Sequence, residues 1–270
     1  MGGGIAQVCL LRGGSVVLYD ITPEIVEANG AQVRASIQRG VDLGKTPALE
    51  AEAALARLRL TADLRDCAPA DLVIEAAPEG LDLKRDLFRD LDRLLGPHAL
   101  LASNTSSLSI TVLAAATKRP DRVLGLHFFN PPLLMKLVEV IRGERTSEET
   151  LQAGLQFARD LGKTPVVCRD TPAFIVNRVA RPFYGEALRL LGEQAADAAT
   201  IDALLKSLGF KMGPFELMDL IGLDVNFAVT QSVYHAFFED PRYRPHPIQQ
   251  RMVQAGMLGR KTKRGFYEYP

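Results

Sequence analysis

His127 and Glu139 are the first pair in this chain whose types and spacing suit proton transfer. Gly125-Leu126-His127-Phe128-Phe129-Asn130-Pro131-Pro132 closes an apolar run with a histidine among aromatics and a double-proline turn. Twelve residues further on, Glu139 sits inside Lys136-Leu137-Val138-Glu139-Val140-Ile141. If both runs are strands with a short connection, Glu139 faces His127. A carboxylate beside an imidazole fixes its tautomer and steadies the imidazolium, as a general base requires. A buried structural His–Glu pair fits the same residues. The chain has only four histidines, so each setting can be weighed singly.

Two further segments place polar groups where chemistry is done. Ser103-Asn104-Thr105-Ser106-Ser107 follows an apolar run directly, which puts its hydroxyls at the carboxyl end of a strand. A polar loop and helix N-cap would use the same residues. Asp170-Thr171-Pro172-Ala173-Phe174-Ile175-Val176-Asn177-Arg178 puts Asn177 one turn into a helix, on the side expected to face a cleft. Its amide can hold a carbonyl or hydroxyl, or it can tie two domains together.

At the N-terminus, Met1-Gly2-Gly3-Gly4-Ile5-Ala6-Gln7 reads as the end of a G-x-G-x-x-G turn and the helix it opens, with Gly2 as the third glycine. Val16-Val17-Leu18-Tyr19-Asp20 then reads as a buried strand ending in an acid. That is the latter part of a dinucleotide fingerprint, in which the helix N-terminus receives a pyrophosphate and the acid takes the ribose hydroxyls. Asp20 therefore points to NAD rather than NADP. The strand and first two glycines, about ten residues in the full fingerprint, are expected to precede Met1. On this reading the 270 residues as written bind NAD poorly and fold marginally. The stop at Pro270 is likewise expected to be a second missing end.

These residues need a scaffold, and the pattern supplies one. Strand-like runs at 71–76, 99–103, 122–129, 137–141 and 165–168 alternate with helical patterns such as 83–95 and 147–161, implying βαβ units and a mostly parallel sheet. After residue 170 strand signals stop and helical patterns take over, at 174–193, 200–208, 214–222 and 225–238. The expected organisation is an α/β Rossmann-type doubly wound domain over 1–170, lacking its first strand, followed by an all-helical domain over 171–270 that closes over substrate. Lys+Arg and Asp+Glu balance at 32 each, so charge suggests neither nucleic acid nor an anionic membrane. No apolar run reaches spanning length. Cys9, Cys67 and Cys168 are few and scattered, fitting reduced cytoplasmic thiols rather than disulfides or a metal site.

Five motifs in order then carry a resemblance: SNTSSL over 103–108, HFFNP over 127–131, KLVEVI over 136–141, DTPAFIVNR over 170–178 and MGPFEL over 212–217. Together they resemble the 3-hydroxyacyl-CoA dehydrogenase family over essentially the whole chain. The resemblance implies NAD-dependent oxidation of an L-3-hydroxyacyl-CoA to the 3-ketoacyl-CoA. It makes His127 the base and Glu139 its orienting carboxylate, with Ser106 and Asn177 hydrogen-bonding the reacting oxygen. Gly2, Asp20, Glu79, Lys84, Ser106, Asn130 and Lys261 would line the NAD. Ser36 would lie near the CoA, with Lys45 as its cation, since Leu43 stands where some members carry lysine. The family's helical domain commonly forms a homodimer, which the apolar run at 217–238 would suit.

The stretch 211–245 looks most like members acting on 3-hydroxyadipyl-CoA in phenylacetate degradation, with 3-hydroxybutyryl-CoA as the alternative. A diacid needs a cation for its far carboxylate; Arg181 and Lys211 are the two offered, unless both are surface charges. A non-catalytic NAD- and CoA-binding or crystallin-like relative, an inactive fragment, and a free-hydroxyacid dehydrogenase with a catalytic lysine are the other readings. Retention of Ser106, His127, Glu139 and Asn177 together speaks against a purely structural role.

Overall fold

A computed structural model describes residues 1–270, in two compact units, Met1–Thr171 and Pro172–Pro270. The first unit opens on α1 (Gly2–Leu11) and β1 (Val16–Tyr19), then α2 (Pro23–Asp42), α3 (Ala48–Ala56) and β2 (Leu58–Thr61). It continues as β3 (Leu72–Glu75), α4 (Leu81–Leu94), β4 (Leu100–Ser103), α5 (Ile110–Ala114), β5 (Val123–Phe128), β6 (Leu137–Arg142), α6 (Glu148–Asp160) and β7 (Thr164–Arg169). Local signals account for most boundaries. The Thr22 hydroxyl accepts from Ile25 N and Pro23 fills the first helical position, so α2 starts there. Ser147 caps α6 in the same way through Thr150 N.

In this unit α3, α5 and β2 lay outside the expected pattern. The segment Ala48–Ala56 has helix-favouring alanines but no broad apolar stripe. Leu58–Thr61 is four residues long with an exposed Arg59, and its pairing with β1 is what makes it a strand.

The strands form two ladders. β1 and β2 pair in parallel, and β3-β4-β5-β6-β7 form a five-stranded sheet, parallel except where β5 meets β6 antiparallel. No ladder joins β1 to β3; β1 is half-buried along its length, as is β3 up to the buried Glu75. The core lies on one face of the larger sheet. Leu124, Leu126 and Phe128 of β5 and Val138 and Val140 of β6 pack with Ile5 and Val8 of α1 and with Leu151, Leu155 and Ala158 of α6. Because side chains alternate across a strand, His127 and Glu139 lie on the opposite face from this cluster.

The second unit contains α7 (Val176–Gly192), α8 (Ala198–Ser207), α9 (Pro214–Ile221), α10 (Leu223–Ala236) and α11 (Pro247–Gln254). Its core gathers Tyr184, Leu188, Ile201, Phe215 and Met218. Two buried aspartates tie the chain's last segment to it. Asp202 accepts from Phe215 N, Glu216 N and the Tyr267 hydroxyl. Asp219 accepts from Phe266 N, Tyr267 N and the Tyr269 hydroxyl, each at 3.0 Å. The approach is close enough that a Cβ on Gly259, at φ 92°, would stand 2.3 Å from the Asp219 carbonyl oxygen. Burial first, then the bond to Asp219, pushes the Tyr269 phenol up to about 12. No helix is long and apolar enough to cross a membrane.

Candidate active site

The β5–β6 register sets His127 directly opposite Glu139. The two side chains meet at 2.6 Å between His127 Nδ1 and Glu139 Oε2, with His127 7% exposed and Glu139 1% exposed. The Phe129 ring lies 4.5 Å from the imidazole centroid. With Nδ1 engaged by the carboxylate, the pair has the tautomer control a base requires. The expected facing of these residues is thus met by their geometry.

A second polar group forms at the carboxyl ends of β3 and β4. Glu75, 3% exposed, accepts from Ala77 N at 2.6 Å, Lys84 Nζ at 2.7 Å and the Ser103 hydroxyl at 2.6 Å. Lys84 reaches on to Glu79 at 3.2 Å and to the Ala77 carbonyl at 3.1 Å. Glu79 in turn accepts from the Thr105 hydroxyl, Ser106 N at 3.1 Å and the Ser107 hydroxyl at 3.2 Å. Burial raises the Glu79 carboxyl, but these hydrogen bonds and the Lys84 charge outweigh it and hold it below its ordinary value. The result is a loop pinned at residue after residue, with Ser106 fixed in it.

Lys84 itself is 1% exposed, with its ammonium shared by three acceptors, so it orders Glu79 and the Ser106 loop. Glu75 was missed by the sequence reading. Its signal was an acid inside an otherwise apolar strand, Leu72-Val73-Ile74-Glu75. Asp170 was read only as part of a boundary; its carboxylate accepts from the Ser109 hydroxyl, Ile110 N and Thr111 N and so anchors the start of α5 behind the same loop.

The residues present suit a dinucleotide. Gly2-Gly3-Gly4 open α1, where the Gly4 amide bonds the Met1 carbonyl at 2.9 Å and the Gly2 and Gly3 amides precede the first intrahelical bond. The tight glycine is Gly4 rather than Gly2: a Cβ at Gly4 would meet Pro132 at 3.0 Å, whereas at Gly2 it would have ordinary contact with Ala76 at 3.7 Å. This brings the turn after Asn130 beside the start of α1. Asp20 follows β1, its carboxylate taking Ile21 N and the Asn29 amide. Asn104 adds a fixed acceptor, holding Phe128 N at 2.8 Å.

Other expected residues are more dispersed. Ser36 is half-buried on α2 and Lys45 exposed just beyond it. Asn177 is half-buried in the first turn of α7. Lys261 pairs with Asp224 at 2.5 Å. Lys211 is exposed, whereas Arg181 is 5% exposed, so the surface-charge reading fails for Arg181. Burial pushes the Cys9 thiol up to about 11 and, with Glu139 and Asp170 nearby, Cys168 up to about 12, which disfavours the thiolate at both.

The first unit carries a mostly parallel sheet with a His–carboxylate pair at a strand end, and the second is helical. Residues 1–171 match the 3-hydroxyacyl-CoA dehydrogenase NAD binding domain, and residues 174–269 match the C-terminal domain of the same family. The chain belongs to the 3-hydroxyacyl-CoA dehydrogenase family.

It is 48% identical to the 3-hydroxyadipyl-CoA dehydrogenase of Escherichia coli K12, over 100% of this chain and 57% of that protein. It is 44% identical to a probable 3-hydroxybutyryl-CoA dehydrogenase of Deinococcus radiodurans, over 100% of this chain and 96% of that one. A crystal structure of 3-hydroxybutyryl-CoA dehydrogenase from E. coli K12 superposes with a TM-score of 0.97 at 48% identity, covering 100% of this chain and 57% of the other. The chain therefore spans little more than half of the E. coli relative's length. The matches extend over all of this chain.

Proposed function

We propose that this chain catalyses NAD-dependent oxidation of an L-3-hydroxyacyl-CoA to the 3-ketoacyl-CoA. The buried His127–Glu139 pair, at 2.6 Å, carries this reading. His127 Nε2 takes the proton of the 3-hydroxyl, and Glu139 balances the imidazolium that results. A secondary alcohol is a weak acid, so this proton must leave as C3 loses its hydride. When bound, NAD supplies the acceptor for that hydride.

Ser106, fixed through Glu79, and Asn177 hydrogen-bond the reacting oxygen. Gly2 to Gly4, Asp20, Glu79, Asn130 and Lys261 hold the dinucleotide, with Lys84 acting through Glu79. Ser36 and Lys45 meet the CoA. Residues 1–170 are the NAD-binding domain and 171–270 the substrate and dimerisation domain. A homodimer through the helical domain is supported by exposed Leu220, Ile221 and Val225 on α9 and α10. A cytoplasmic location suits the reduced thiols.

The relatives' names divide between 3-hydroxyadipyl-CoA and 3-hydroxybutyryl-CoA. We favour the adipyl substrate and, with it, a place in phenylacetate degradation, because the 211–245 stretch resembles that group.

NADH formation followed at 340 nm with a 3-hydroxyacyl-CoA tests the proposal. His127→Gln and Glu139→Gln are each expected to lower kcat about 100- to 10,000-fold while leaving thermal unfolding in place. Near wild-type kcat in either variant would end the assignment of the pair as base and orienting acid.

A further inference from the structure

The strand that carries His127 outruns one of its neighbours. β4 pairs with β5 only as far as Ser103, opposite Gly125, so Leu126, His127 and Phe128 run past its end with no ladder partner on that side. On the other side β6 holds them, with His127 opposite Glu139 and Phe128 opposite Val138. Phe128 is 2% exposed, and a buried backbone N–H needs a partner.

That partner is a side chain. Asn104, the residue after β4, accepts from Phe128 N through its Oδ1 at 2.8 Å, while its own N donates to the Glu75 carbonyl at 2.8 Å. An N–H can be received only by the oxygen of a carboxamide, so this bond also fixes which way the amide faces. Asn104 thus takes over where the ladder stops, one residue beyond His127.

The same residue opens the loop on which Ser106 lies. The rest of that loop is pinned on its β3 side: the Ser103 hydroxyl donates to Glu75 at 2.6 Å, the Thr105 hydroxyl to Glu79, and Ser106 N to Glu79 at 3.1 Å. Asn104 ties the loop to β5. Ser106 and His127 come from separate strand ends, and this short link of one side chain joins the two.

We propose that Asn104 is a positioning residue, which locks the Ser106 loop to the end of β5 and so sets the spacing of Ser106 and His127 about the reacting oxygen. This rests on the hydroxyacyl-CoA reading above, and the test separates the two.

The full chain is assayed for NADH formation with a 3-hydroxyacyl-CoA. Asn104→Leu, similar in size but without an acceptor, is expected to lower kcat about 10- to 100-fold, as a misplacement of about 1 Å does, with KM for the thioester little changed. Asn104→Asp keeps an acceptor within reach of Phe128 N and is expected to recover most of that loss. Wild-type kcat in Asn104→Leu, an equal fall in both variants, or a fall that lies only in KM overturns the proposal. Where Asn104→Leu does not fold, Asn104→Ser, polar but too short for the bond, replaces it in the same comparison. Independently of turnover, the Phe128 amide is expected to exchange with solvent about tenfold faster in Asn104→Leu than in the unaltered chain, the worth of one hydrogen bond, while Val140 in the ladder is unaffected. Unchanged exchange at Phe128, or an equal rise at Val140, overturns the proposal. If no thioester is oxidised, the dehydrogenase reading falls, while amide exchange still decides whether Asn104 holds the strand end.

Discussion

Each unit of this protein buries one long cation, and the two are treated in opposite ways. Lys84, 1% exposed, is held between Glu75 at 2.7 Å and Glu79 at 3.2 Å. Arg181, 5% exposed, has carbonyls, a hydroxyl and a ring, and no acid. The first charge is used up inside the fold, and what it yields is order: through Glu79 it fixes the loop that carries Ser106. The second is met by neutral groups alone, within its own unit. A buried ion is informative mainly through what does or does not neutralise it.

The comparison breaks most easily at Lys84. Lys84→Met leaves Glu75 as an uncompensated buried carboxylate, and such a loss costs about 3–5 kcal/mol. Urea unfolding measures it. Adding Glu75→Gln to Lys84→Met is expected to recover a large part, since the stranded charge goes with it. A double variant no better than Lys84→Met would show that the pair's order, not its charge balance, holds this corner.

A smaller effect is expected at Arg181. Arg181→Met removes three bonds to neutral acceptors together with the cost of burying an unpaired charge, so the loss is about 1–3 kcal/mol by the same titration. A loss as large as that of Lys84→Met would mean that Arg181 is a structural pin, and the contrast between the units would collapse.

The smallest effect concerns pH. Glu79 is held below its ordinary 4.5, so its contribution to stability is complete above that pH and is lost as the pH falls through the lower folded value. Its side chain is 38% exposed, and solvent screening keeps the effect slight. Glu79→Gln is expected to flatten the acid side of a Tm-against-pH curve slightly and to raise KM for NAD, as the Ser106 loop loosens. An unchanged KM would detach this loop from cofactor binding.

Local chemistry in the chain foretold much of this molecule. The change from alternating elements to helices only after residue 170, the strands bearing His127 and Glu139, and the polar loop after Ala102 are patterns of neighbouring residues, which is why they can be read from order alone. The facing of His127 and Glu139 was legible too, because an antiparallel pair with a short connection has few registers. Leu58–Thr61 was not, because four residues with an exposed arginine become a strand only by pairing with β1. The tight contact fell at Gly4 instead of Gly2 because Pro132, more than a hundred residues away, lies against it.

What the tertiary structure alone decided is where charge is spent. Nothing in the order of residues says which groups neutralise Glu75, Lys84 and Arg181. Burial and the identity of partners brought in from distant segments set whether such a group is neutralised, ordered or left to act, and those are properties of packing in three dimensions rather than of spacing along the chain.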